Sequence, residues 1–356
     1  MFASNQVHIY TTKMKKLLCF LVPLSIAMYS CEEENSDGST LNPDEASAEM
    51  NVLANKANQD ITTMVESEGV KAVLDLIDLV ESYDFTTRNN QKQQVKAQIN
   101  EFFQKFVSGP SARTSNDDIT SFDDIKGLYV WNSSTGTFDE FESEFFIVQF
   151  PTEGSSENNA EFKILALELI TITEDYGDFV DEYQLPTLIS SGLFVDDVEV
   201  ISLFLVAQWS DDGFPNVANI DLEVVPFSYS LGFDNLGATT SSLLSSLKLR
   251  GAEILGIDVD VEFESVLKEE PVIIEGLVRY YNLKVSGKLD ATRQDETEDI
   301  NELIDLELLI DDEKVGDIIF IEDIAYVQYL DGTTEELEAL FEAAIADLND
   351  LVEDLD

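Results

Sequence analysis

The sequence predicts an α+β protein: a large curved antiparallel β-meander sheet with N-terminal helices and a C-terminal covering amphipathic helix. Three observations predict it. Apolar residues recur at helical spacing in the first third of the chain. From Ile125 the period changes to two, and a final stripe of helical spacing follows Gly332. With 356 residues, 44% hydrophobic and 10% aromatic, the chain has enough apolar side chain for a sizeable core.

The helices come first. Within 59–83, Val70, Val73, Leu74, Ile77 and Val80 recur at three and four; within 91–107, Val95, Ile99, Phe102, Phe103 and Phe106 do the same. Two or three helices are expected before Gly109-Pro110 breaks the pattern. The run "GLYVWNSSTGTFDEF" then reads as two strands joined by a turn at 133–136, and "SEFFIVQFP" as a strand stopped by Pro151. The runs "EFKILALELITITE", "VEVISLFLVAQWS", "NIDLEVVPFSYSLGF", "KLRGAEILGIDVDVEFE", "LVRYYNLKVSGKLDATR", "ELIDLELLIDDEKVGDIIFIE" and "IAYVQYLDG" follow. Turn signals separate them without helical patterns between, which favours an antiparallel meander over a parallel sheet. One strand alternates cleanly: Ile257, Val259, Val261 and Phe263 on one face, Asp258, Asp260, Glu262 and Glu264 on the other. Others, such as "ISLFLVAQW", are apolar on both faces, which fits a curved sheet partly covered by helices.

At the C-terminus, Thr333 and Glu336 have the spacing of a capping box after the Asp331-Gly332 turn. Leu337, Leu340, Phe341, Ala344, Ile345, Leu348, Leu351 and Val352 continue as one apolar stripe. Glu353, Asp354 and Asp356 close it with the wrong sign for a helix C-terminus. Acid is placed there against local helix energetics, which points to a pressure on the whole composition.

That pressure is plain in the charge. There are 72 acids against 20 bases, a net −52, and none of the acids precedes Glu32. The charge disfavours nucleic acid and anionic membrane surfaces as partners, because both require Lys/Arg patches. The acid excess reads either as a solvated surface or as sites for cations. His8, Cys19 and Cys31 are the only histidine and cysteines. The body beyond them has no Ser-His-Asp or Cys-His system and cannot build ordinary zinc ligation from His and Cys, so no catalytic residue is assigned.

The N-terminus reads as an address. Lys13, Lys15 and Lys16 precede an apolar run at 17–28 that is too short to span a bilayer as a helix, and Ser30-Cys31 ends it. This stretch resembles a bacterial lipoprotein signal, with Ser30 as the small residue before the cysteine. The resemblance implies lipidation at Cys31 as the mature N-terminus, with Met14 as the start and residues 1–13 upstream of it. Met28 and Tyr29 depart from the usual residues of that box. The following "CEEENSD" resembles the surface-export signal of Bacteroidota lipoproteins. The implied organisation is an upstream extension and signal at 1–30 and an acidic tether at 31–43. A helical segment at 44–118, a β body at 119–332 and a covering helix at 333–356 complete it. The β body, through "GLYVWN" with "FFIVQFP", the "DDGFPN" turn, "NLKVSGKLD" and "YLDGTTEELEALFEAAI", is similar to uncharacterised Bacteroidota surface lipoproteins. That group carries no activity over to this chain.

Two side-chain groupings are candidates for contact with ligands. The ladder Asp258, Asp260, Glu262 and Glu264 could bind Ca2+, although alternate strand residues lie about 7 Å apart, too far for all four to share one ion. Lys284 and Lys288 on a nearby strand could instead neutralise it. Tyr129 and Trp131, two apart on one strand face, could form a platform for a glycan, with Trp209 a weaker candidate; core packing is the alternative. The expectation is a lipid-anchored protein of the outer membrane, facing the exterior, with a non-enzymatic binding or structural role and no bound nucleic acid. A carrier for an apolar ligand in a curved-sheet cavity and a carboxylate-dependent carbohydrate hydrolase are the alternatives.

Overall fold

The computed structural model describes residues 41–82, 122–175, 180–211, 213–268, 271–293, 299–322 and 324–337. The chain divides at 63/64 and 230/231 into two compact units. Residues 64–230 form one, and the flanking parts form the other.

Two helices are described, α1 (Pro43–Val65) and α2 (Glu68–Ser82). Helix α1 has a start signal that the apolar periodicity hid. Asn42 Oδ1 accepts from the Glu45 amide at 3.0 Å, and Glu45 Oε2 accepts from the Asn42 amide at 3.1 Å. This is a reciprocal capping box with Pro43 at the first helical position, where its missing N–H costs nothing. The stretch 59–83, read for its helical spacing, is divided between the two helices at Ser67. Its hydroxyl accepts from the Val70 amide at 3.3 Å and so starts α2. The expected helix at 91–107 lies outside the described residues.

In the unit of residues 64–230, the strands are β1 (Gly127–Asn132), β2 (Thr137–Phe141), β3 (Phe146–Phe150), β4 (Ala160–Asp175), β5 (Val180–Val195), β6 (Val198–Trp209) and β7 (Pro215–Val224). They pair in the order β2-β1-β3-β4-β5-β6-β7. The meander is antiparallel with one exception. Strands β1 and β3 run parallel, Gly127 beside Phe146, because β2 makes the return journey on the outer side of β1. One face is covered by α2, which sits on β5 and β6 and whose Ala72 and Leu76 share a buried cluster with Phe146, Val148, Phe150, Ile164, Leu193 and Val200. Burying a large apolar side chain such as Phe150 contributes about 1.5–3 kcal/mol. The opposite face is not sealed in the same way: in "ISLFLVAQW", Leu203 and Ala207 are buried while Phe204 is 46% exposed. An apolar residue on both faces of a strand therefore did not mean burial on both.

Strand β8 (Phe227–Asp234) carries the boundary between the units. The other unit contains β9 (Thr240–Leu249), β10 (Ala252–Phe263), β11 (Pro271–Tyr280), β12 (Leu283–Asp290), β13 (Ile304–Ile310), β14 (Glu313–Ile321), β15 (Ile324–Tyr329) and β16 (Thr334–Glu336). Each pairs antiparallel with its successor. Reversals are tight. Asp311-Asp312, with φ of 53° and 68°, turns β13 into β14 using the left-handed conformations that two-residue hairpins require. The lateral row Ile257, Val278, Val285, Leu308 lies on one face, where Val285 and Leu308 share a core with Ala46, Met50, Leu53 and Ala57 of α1.

The expected C-terminal helix is corrected at its first turn. Thr334–Glu336 form the edge strand β16, with Val327 opposite Glu335. Thr333 does not cap a helix: its hydroxyl and its amide both donate to Asp331 Oδ1, at 2.6 and 2.9 Å. With Gly332 at φ 86° and the Tyr329 amide donating to Thr333 O at 2.9 Å, the chain folds back on β15. Residues 338–356, which carry the rest of that expectation, lie outside the described residues.

Candidate functional site

The acid ladder falls on the face of β10 that points away from α1. Its neighbours show how the charge is managed. Asp260 lies beside Glu275 on β11, Glu275 beside Lys288 on β12, and Lys288 beside Asp305 on β13. Strand β11 separates the ladder from Lys284 and Lys288, so the expected direct neutralisation is replaced by a relay. Lys288 lies 3.9 Å from Glu275, and Lys284 pairs with Asp312 at the β13–β14 turn. Lys314 holds Glu307 at 2.6 Å and Asp317 at 2.9 Å. Burial would lower the pKa of Lys314, but these two carboxylates outweigh it and raise it. Asp258 sits between Leu244 and Leu277. Burial first, and the charge of Asp260 second, push its carboxyl above the usual range. Asp260, Glu262 and Glu264 are exposed. Among the described residues, no group of three or more His, Cys, Asp or Glu gathers at metal-holding distance.

The aromatic candidates are used in packing. Tyr129 is 5% exposed, with its ring 5.5 Å from that of Phe146. Burial, with the charge of Glu140 adding, pushes its phenol up to about 12. Trp131 is half-buried and meets Phe138 edge-on at 5.1 Å, from the directly opposite position on β2. Trp209 donates its indole N–H to Pro186 O at 2.8 Å. The structure places Tyr129 and Trp131 on one strand, but only Trp131 reaches towards solvent.

Two polar clusters escaped the sequence. The first ties α1 to its sheet. Asp60 accepts from the phenols of Tyr280 at 3.1 Å and Tyr281 at 2.8 Å, and Lys56 lies 4.1 Å from the centre of the Tyr281 ring. The hydrogen bond to Tyr281 raises the Lys56 pKa, and burial raises those of both phenols. At the other end of the helix, Glu335 accepts from Ser47 at 3.0 Å and from the Tyr329 phenol at 2.5 Å. Phenols held neutral against a carboxylate are neither activated nucleophiles nor general bases; they join a helix to a sheet.

The second cluster sits where the β8–β9 and β10–β11 loops meet. Lys268 Nζ donates to Asn235 O at 2.5 Å, Asn235 Oδ1 at 2.6 Å and Thr240 O at 2.9 Å. Burial lowers its pKa, against the pull of Asp234. Three oxygens around one ammonium make a charge-assisted clamp. Two of the three are backbone carbonyls about 30 residues away, so no motif announces it. The visible signal was apolar Val266-Leu267 inside the otherwise polar "ESVLKEEP".

Cys31, the expected lipidation site, lies outside the described residues, as do His8 and Cys19. Among the described residues, no helix is long and apolar enough to cross a membrane. Comparison of the chain with protein-family models, with curated proteins and with solved structures finds no match.

Proposed function

We propose that this chain is a lipid-anchored protein of the bacterial outer membrane, displayed towards the exterior, with a non-enzymatic role in binding or surface structure. One observation carries the reading. The basic and apolar stretch at 13–30 ends at Cys31, acids follow at once, and no cysteine occurs in the body beyond it. A cysteine with no partner for an intrachain disulfide in the mature chain is accounted for by lipidation. The use of the ionisable residues supports the non-enzymatic part. Lys56, Asp60 and Tyr280 join a helix to a sheet, Lys268 pins two loops, and Lys314 bridges carboxylates. These groups satisfy structural partners and present no poised acid–base pair.

The test is Cys31→Ser in a bacterial host that processes lipoproteins. Wild-type protein is expected in the membrane fraction, labelled by radioactive palmitate and accessible to protease added to whole cells. The variant is expected to lose the label and leave the membrane. Unchanged membrane association would overturn the anchor, and lipid co-purifying with the anchor-free body would favour the apolar-carrier alternative.

A further inference from the structure

We infer that the two loops clamped by Lys268 form a docking tip for a partner protein that presents an apolar helix face flanked by lysine and arginine. The inference deepens the binding role proposed above and rests on it, though not on the lipid anchor.

The tip is built from the β8–β9 loop at 235–239 and the start of the β10–β11 loop at 264–268. They are neighbours because β9 begins where β10 ends: Thr240 lies opposite Glu262, and the Phe263 amide donates to Thr239 O at 2.8 Å. Leu267 is 72% exposed, Val266 70% and Leu236 63%, the three most exposed large aliphatic side chains among the described residues. Exposed aliphatic residues scattered singly need no explanation; three on two adjoining loops do.

These loops are also held. The Leu236 amide donates to Asp234 Oδ1 at 2.8 Å, the Leu267 amide to Ser265 Oγ at 3.3 Å, and the Lys268 amide to Ser265 O at 3.1 Å. Lys268 itself takes a left-handed backbone, φ 54°, and spends its ammonium on the other loop. The order of the loops therefore comes from polar bonds and not from burying the aliphatic groups. A surface ordered in advance loses little conformational freedom when a partner covers it.

Charge selects the partner. Asp234, Glu262 and Glu264 surround the tip and are exposed, while the one base there, Lys268, is engaged internally. A second copy of a chain with net charge −52 would be repelled, and so would an anionic surface. An apolar helix face flanked by bases covers the three aliphatic groups and pairs the acids.

The probe is a fluorescein-labelled amphipathic helical peptide with leucines along one face and lysines flanking them. Its binding to the full chain is followed by fluorescence anisotropy at physiological salt. Wild type is expected to bind, and the combined variant Leu236→Ser, Val266→Ser, Leu267→Ser to bind at least tenfold more weakly with an unchanged melting curve. Lys268→Met keeps the aliphatic groups but frees the loops, and is expected to weaken binding several-fold. Equal binding by wild type and the triple variant would overturn the inference, since the affinity would then be diffuse attraction to acidic faces; so would no binding by wild type. Flotation of the anchor-free body with phosphatidylcholine vesicles, abolished in the triple variant, would also overturn it by making lipid the occupant. None of these outcomes bears on the fractionation of Cys31→Ser, so the tip and the anchor can fail separately.

Discussion

Tyr129 shows how burial turns a candidate contact residue into a structural one. Its phenol is pushed up to about 12 by burial and by Glu140, whereas an unfolded tyrosine ionises near 10. A folded pKa above the unfolded one means that the unfolded state loses its proton first as pH rises. Stability from this group is therefore complete below pH 10 and declines as pH climbs towards about 12. Absorbance at 295 nm should show a late-ionising phenol that disappears in Tyr129→Phe, and the alkaline fall in melting temperature should be shallower in that variant. A phenol titrating near 10 in the folded protein would mean that Tyr129 is open to solvent and available to a ligand. The sequence placed Tyr129 and Trp131 correctly on one strand but could not show that Phe146 packs against the first. Lys268 was less legible still, because its acceptors are backbone oxygens brought close only by the β9–β10 pairing.

At the scale of elements, what could be read depended on whether the signal was local. The β1–β2 hairpin, the stop at Pro151 and the alternation of β10 are all written in short stretches, and all appear. Strand β5 was not legible, because Pro186 argues against a strand paired on both sides. The structure accommodates it at a bulge, where Leu169 opposes Pro186 and Glu168 opposes Leu188. Strand β9 was hidden by its serines, of which Ser241 and Ser245 are buried. The seating of α2 offers a test that the sign of an effect decides. A Cβ at Gly69 would meet Ile201 Cγ1 at 2.7 Å and Val200 O at 3.0 Å. In a free helix, Gly→Ala stabilises by about 1 kcal/mol. Against a packed strand the intruding methyl costs about 1–3 kcal/mol. Gly69→Ala is expected to lower stability by up to about 2 kcal/mol in urea titrations, because one of its neighbours is a backbone carbonyl that cannot rotate away. A gain in stability would show that α2 does not sit on β6 this closely.

For the whole molecule the governing quantity is the net charge of −52. The charged face of β10–β14 couples acids and bases in rows, yet the relay runs short of cations: Lys288 has Glu275 on one side and Asp305 on the other. Repulsion among the remaining carboxylates is long-ranged in dilute salt, where the screening length is about 30 Å at 0.01 M, and falls to about 10 Å at 0.1 M. Melting temperature should therefore rise by several degrees over that interval in sodium chloride. The same argument separates screening from specific binding at Asp258, Asp260, Glu262 and Glu264. Alternate residues on one strand face are about 7 Å apart, whereas calcium needs oxygens at about 2.3–2.6 Å from a common centre. Calcium and magnesium at equal millimolar concentration are thus expected to raise the melting temperature equally, with chelation reversing both. A rise with calcium well beyond that with magnesium, lost in Asp258→Asn or Asp260→Asn, would instead assign a calcium site to the ladder. It would also make the acid excess in part a matter of ligation rather than of solvation alone.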